Sequence, residues 1–157
     1  MKSATALKTV TSQPRVRVGV LLIDEHGRVL LTLRKFPPEA DCWSIIGGKV
    51  DFLETVEACA IREAFEEGGL KIAIDRLLCI TDHLPPEEDQ HWVSPAYWGR
   101  ILNGEARNCE SDKTQEVRRF GTNELPDNLT MTARNVIDTY QRRGGVSGFA
   151  GHGRFHV

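Results

Sequence analysis

Residues 48–70 read GKVDFLETVEACAIREAFEEGGL, and this stretch governs how the rest of the chain is read. From Val56 to Glu67 it holds no proline or glycine. Thr55 stands as an N-cap, and Gly68-Gly69 supplies the left-handed stop common at helix ends. The helix signal therefore runs from Thr55 to Gly68. At about 100° per residue, Glu63, Glu66 and Glu67 fall within an arc of roughly 100°. Ile61, Ala64, Phe65 and Gly68 cluster on the other side and are expected to meet the core, with the glutamates pointing away from it. Glu63 and Glu67 are like charges one turn apart, which destabilises an isolated helix by roughly 0.2–0.5 kcal/mol. Asp51, Glu54 and Glu57 add acids upstream, and only Lys49 and Arg62 offset them locally. A hard divalent cation with oxygen ligands would relieve the repulsion. An acidic helix face alone is more often simply solvated. Gly47-Gly48 shifts that balance, because glycine lets backbone groups approach an ion or a phosphate closely.

Upstream of this helix, Val16, Val18, Val20 and Leu22 alternate at period 2, describing a strand with one strongly apolar face. Asp24-Glu25-His26-Gly27 supplies a turn, and residues 28–34 (RVLLTLR) read as the returning strand. Phe36-Pro37-Pro38 opens a loop closed by the short apolar stretch 43–46, and residues 49–52 are expected to be extended. Downstream, residues 70–80 and 91–102 read as strands joined by a Pro-rich acidic loop. Residues 103–114 read as a loop, 116–120 as a short strand, and 129–142 as a second helix capped by Gly144-Gly145. Strands in two groups, each followed by a helix, predict an α/β fold with a mixed sheet packed between helices. The organisation expected is an arm (1–14), one domain (15–145) and a Gly-rich tail (146–157).

Composition narrows the function. The chain has 157 residues, a length typical of one domain that needs no disulfide or metal to fold. Twenty Lys+Arg against 22 Asp+Glu leave a net charge of −2, which argues against a nucleic-acid polymer as partner. No apolar run approaches the ~20 residues of a membrane span, and the N-terminus has no signal-peptide core. Cys42, Cys59, Cys79 and Cys109 are too far apart for a zinc pair and read as reduced thiols in the cytoplasm.

Gly48, Glu54, Arg62-Glu63-Ala64, Glu66-Glu67 and Gly69-Leu70 resemble the Nudix box: glycine, five residues, glutamate, seven residues, then R-E-apolar-x-E-E-x-G-apolar. All nine specified positions agree, a match expected by chance about once in 10⁷. One departure is Ile46, where the family commonly has proline before the glycine pair. The resemblance implies a Nudix-like α/β/α sandwich and hydrolysis of a nucleoside diphosphate linked to a moiety X, with Mg²⁺ (or Mn²⁺) as cofactor. It implies Glu63 and Glu67 as leading metal ligands, Glu66 as a third, the Gly47 carbonyl as a fourth, and Arg62 orienting the carboxylates through Glu54. The water-activating base is either a box glutamate (Glu63 or Glu66) or an acid from a later loop, for which Glu116 is the candidate. Arg34, at the end of its strand, and Gly48 are assigned to substrate binding.

Substrate clues conflict. Trp43, Trp92, Tyr97 and Trp98 could form a base-stacking wall or belong to the core. His83 and His91 read as loop residues. Pro85 and Pro86 lie where ADP-ribose-hydrolysing members carry a proline, whereas the layout from residue 91 to 126 looks more like triphosphate-cleaving ones. The resulting expectation is hydrolysis of a nucleoside triphosphate to monophosphate and pyrophosphate, with ADP-ribose or another diphosphate sugar second. A non-catalytic nucleotide-sensing module is the alternative from a different class, although such modules typically lose box carboxylates. Many relatives are dimers, so a homodimer is an open assembly.

Overall fold

The computed structural model describes residues 13–84 and 89–143. Residues 1–12, Pro85, Pro86 and the 144–157 segment with Gly144-Gly145 lie outside them. The described elements run β1 (Arg15–Leu22), β2 (Arg28–Arg34), β3 (Trp43–Ser44), β4 (Ile46–Lys49), α1 (Val56–Gly68), β5 (Lys71–His83), β6 (Trp92–Asn103), β7 (Thr114–Gly121) and α2 (Met131–Arg142).

The fold is mixed α/β with helices flanking sheet, as the pattern predicts, but the strands divide into two sheets. One is mixed, in the order β4-β1-β6-β5, with β1 parallel to β6. The other is antiparallel, in the order β3-β2-β7. The chain crosses between them at Ile45, so the stretch read as one apolar segment is two strand ends in different sheets. β4 ends at Lys49, with one further backbone bond from Val50 N to Val16 O at 3.1 Å, so the expected extended piece over 49–52 is instead a strand end followed by a turn.

Strand β1 is central and buried on both faces, as parallel pairing favours. Val18, Val20 and Leu22 pack with Ala60, Ala64 and Leu70 beneath α1. Leu21 faces the other way, into a second core with Leu31, Trp43 and Trp98 and with Val136 and Ile137 of α2. Val16, read as part of the apolar face, is exposed.

The ends of α1 follow local rules. The Thr55 hydroxyl accepts from the Ala58 amide at 3.1 Å, and Gly69, at φ 68°, donates to Phe65 O at 3.0 Å. Its buried face departs from the prediction: Cys59, Ala60, Glu63, Ala64 and Gly68 are buried, whereas Ile61 and Phe65 are exposed. α2 starts two residues later than read, where Thr130 caps it through Ala133 N at 3.2 Å.

Candidate active site

A cleft of about 560 Å³ opens where the two sheets splay apart. One wall is α1, presenting Glu63, Glu66 and Glu67 beside Gly47 and Gly48 of β4. A side chain at Gly48 would collide with the Glu63 carboxylate, so the bare backbone is what lets a glutamate occupy a buried helix position. The loop after β6 closes this wall. Arg107 N and Cys109 N donate to the last carbonyls of α1, Gly68 O and Glu67 O, both at 3.1 Å. These carbonyls have no partner inside the helix, and the loop satisfies them while bringing Glu110 into the cleft. Gly104 permits the approach: at φ 100° it lies so close to Gly69 O that a Cβ there would stand 2.6 Å from that oxygen.

Arg62 organises the acids. Its guanidinium grips Glu54 with two parallel bonds, Nε to Oε1 at 2.7 Å and Nη2 to Oε2 at 2.9 Å. Nη1 reaches Glu63 Oε1 at 3.0 Å and Glu66 Oε2 at 3.1 Å, and Nη2 also donates to Lys49 O at 3.2 Å. Such forked, charge-assisted bonds fix carboxylate geometry as well as charge. Hydrogen bonds from Arg62 and the Asp51 amide hold the Glu54 carboxyl down at about 2. Burial pushes the Cys59 thiol beneath this network up to about 12, and its Sγ lies 3.2 Å from Lys49 O.

Two acids move the opposite way. Burial, more than the charge of Glu66 or Glu110, raises the Glu63 carboxyl despite Arg62. Burial and then the charges of Glu63 and Glu110 push Glu67 well above the ordinary carboxylate range, only partly offset by the Gly47 amide and Arg17. A carboxylate held among like charges without an ion pair gains from any positive charge placed beside it.

The donor set suits a hard divalent ion: carboxylate oxygens of Glu63, Glu66, Glu67 and Glu110 against a glycine backbone. Among the described residues no three acids converge on a single point as arranged, because Arg62 draws Glu63 and Glu66 toward itself. Glu63, Glu66 and Glu67 are the side chains that would hold an ion there, and it would set positive charge against this acidic wall.

The structure brings together Gly47, Gly48, Arg34, Arg62, Glu63, Glu66 and Glu67 at the cleft, and places Glu54 directly behind Arg62. It does not bring Glu116 there. Glu116 pairs in register with Leu33, while cleft-lining Thr32 is the neighbouring residue of opposite parity. Side chains alternate along a strand, so Glu116 points to the other face, where Arg118 holds it at 2.5 Å. Glu110 is the later-loop acid that does reach the cleft. Sequence reasoning missed it because nothing local in NCESDK distinguishes it from a solvated loop acid. Arg17 was also missed, although a charged residue on a central apolar strand was a signal.

None of the four aromatics expected to form a stacking wall lines this cleft among the described residues. Trp43 packs edge-on against Phe120 at 4.8 Å, Trp98 against Tyr140 at 5.3 Å, and Tyr97 lies under α1. Trp92 hydrogen-bonds Gln90 at 2.7 Å. His83, read as a loop residue, is the last residue of β5 and pairs with Trp92, whereas His91 precedes β6; neither lines the cleft. Among the described residues, the aromatic side chain at the cleft is Phe36, which is exposed.

Arg62→Ala is expected to lower the melting temperature by roughly 5–10 °C, since it strands four carboxylates, Asp51, Glu54, Glu63 and Glu66, that share one cation. The Glu54 carboxyl should return toward its ordinary value, so the stability that its depressed pKa supplies above about pH 4.5 disappears. Thermal melts from pH 3 to 8 measure this, and a variant that melts like the parent throughout would show Arg62 to be merely solvated.

Comparison with known proteins agrees with this geometry. A NUDIX domain profile matches residues 13–140. The ADP-ribose pyrophosphatase of Methanocaldococcus jannaschii is 30% identical over 121 residues, which are 77% of this chain and 70% of that protein. A Bacillus subtilis protein provisionally named 8-oxo-dGTP diphosphatase is 31% identical over 122 residues, 78% of this chain and 76% of its own. The crystal structure of a MutT NUDIX hydrolase from Burkholderia pseudomallei superposes with a TM-score of 0.75 at 42% identity, covering 81% of this chain and 98% of that one. With the box residues gathered on one wall of the cleft and the profile spanning nearly the whole described fold, the chain belongs to the Nudix hydrolase family.

Proposed function

We propose that this protein hydrolyses a nucleoside triphosphate to the monophosphate and pyrophosphate, using Mg²⁺ or Mn²⁺. The observation that carries this reading is the polarity of the cleft. Glu63, Glu66, Glu67 and Glu110 line one side, and Arg17, Arg34, Lys35 and Lys113 also line it. Acids alone would repel a polyphosphate, and bases alone would bind it without activating water. Bound at the acidic wall, the ion would neutralise phosphate charge and lower the pKa of water. Water then attacks phosphorus, the bridging P–O bond breaks, and a carboxylate takes the proton.

We assign the proton-accepting role to Glu110. Arg62 already holds Glu63 and Glu66, whereas among the described residues Glu110 pairs with Lys113 at 4.0 Å. Glu110→Gln is expected to cut kcat about 10²-fold with KM within twofold, and raising Mg²⁺ should not restore it. A deficit that shrinks with Mg²⁺ would make Glu110 a metal ligand instead. Glu116→Gln should stay within about twofold of the parent in both constants.

ADP-ribose hydrolysis is the second reading, favoured by the name of the archaeal relative. A panel of nucleoside triphosphates, 8-oxo-dGTP and diphosphate sugars, scored by phosphate and pyrophosphate release, separates the two. A preference for ADP-ribose overturns the triphosphate reading, and no turnover of any substrate would return the protein to a sensing role. Four cysteines without a disulfide fit a reducing compartment such as the cytoplasm.

A further inference from the structure

The basic side of the cleft contains a feature that the box does not explain. Along β1, Arg17 shares a face with Gly19 and Leu21, opposite Val18 and Val20. Leu21 is sealed between the sheets, and the missing side chain at Gly19 leaves room for Ile45. Arg17 comes next, at the point where the sheets part, so a strand row that begins as core ends in a guanidinium lining the cleft. Among the described residues it makes no hydrogen bond or ion pair. Arg34 enters from the end of β2. Its Nε is committed to Pro38 O at 2.9 Å, and its terminal nitrogens have no hydrogen bond among the described residues. Lys35 and Lys113 are differently placed, since each has a protein partner, Ser111 O at 3.4 Å and Glu110 at 4.0 Å.

Two guanidiniums sharing a partly closed space repel one another. Burial lowers the Arg17 pKa below its ordinary value, and the charge of Arg34 lowers it further against the pull of Glu67, Glu39 and Glu63. The arrangement is unfavourable until an anion with several oxygens lies between the two forks. A nucleoside triphosphate carries such a group beyond the diphosphate that the metal wall would hold. A diphosphate sugar presents hydroxyls there, which leaves both cations unmatched.

We infer that Arg17 and Arg34 form a clamp for the terminal part of the phosphate chain, and that Arg17 sets the preference for nucleoside triphosphates over nucleoside diphosphate sugars. The inference rests on the hydrolytic reading above and adds to it a residue outside the box.

The test uses Arg17→Gln and Arg17→Lys in the full-length chain, with steady-state kinetics on dGTP and ADP-ribose and with inorganic pyrophosphate binding measured calorimetrically in Mg²⁺. Arg17→Gln should raise KM for dGTP by about 10–100-fold with kcat within about threefold, the range expected for losing a charged hydrogen-bonding partner. Pyrophosphate affinity should fall by a similar factor, and KM for ADP-ribose should stay within twofold. Arg17→Lys should recover part of the loss, and it carries the test if the glutamine variant does not fold. Unchanged dGTP KM and pyrophosphate affinity would overturn the clamp, as would an equal loss on dGTP and ADP-ribose. If the parent cleaves only diphosphate sugars, the triphosphate reading fails. In that case the pyrophosphate titration still decides whether Arg17 binds a phosphate chain.

Discussion

Hydrolysis should fall to background in excess chelator and return with Mg²⁺ or Mn²⁺. Glu63, Glu66, Glu67 and Glu110 line the cleft, and Arg62 is already spent on Glu54, Glu63 and Glu66. A polyphosphate entering a metal-free cleft meets that acidic wall with only the opposite basic side, Arg17, Arg34, Lys35 and Lys113, to offset its charge. Several kcal/mol of charge stabilisation are lost with the ion, which corresponds to roughly 10³-fold or more in rate. A second readout does not require turnover. The Glu63 and Glu67 carboxyls have raised pKa values in the folded protein, so the folded state favours their protonated forms. The contribution of these two carboxyls to metal-free stability is therefore fullest at low pH, and it is lost as pH rises from the ordinary carboxylate value through the raised ones. Mg²⁺ offsets that loss, and the rise in melting temperature on adding it should be larger at pH 8 than at pH 5. Undiminished turnover in chelator, with no metal-dependent shift in melting, would sink the metal-dependent mechanism.

Glu67→Gln should separate chemistry from folding. The substitution keeps the side-chain shape and deletes the charge that Glu63 and Glu110 oppose. Turnover is expected to drop about 10³-fold, because an oxygen donor from the most electrostatically crowded acid is gone. Metal-free stability should move the other way, with the melting temperature rising at pH 8 relative to the parent. Because glutamine does not titrate, the decline in stability above about pH 4.5 should flatten in the variant. Parallel measurement of kcat and of melts with and without Mg²⁺ checks both halves. A variant that retains near-parental rates removes Glu67 from the site, and one that loses both rate and stability marks it as a packing residue.

Features controlled by neighbours in sequence were legible before any coordinates. The Thr55 cap, the left-handed stop at Gly69 and the strands leading to Leu22 and Arg34 all depend on residues within one turn or one pleat. The spacing of the box placed Glu63, Glu66 and Glu67 on one arc, and one wall of the cleft holds all three.

What periodicity could not supply was which side of that arc is buried. It treats every glutamate as solvent-facing, yet Glu63 is buried and Phe65 is 61% exposed. The reason lies on another element: β4 presents glycine backbone beneath Glu63, where any side chain would exclude it.

The amino-acid sequence by itself determined the helix, its caps, its acidic arc and the family to which they belong, because each is set by short-range spacing. Only the tertiary structure decided which distant charges share the cleft. Two carbonyls at the end of α1 need donors, and the loop that supplies them carries Glu110 inward. Strand parity turns Glu116 away, and the splaying of two sheets exposes Arg17 beside Arg34. These placements follow from hydrogen-bond satisfaction and strand register across residues far apart in the chain, and local pattern contains no information about either.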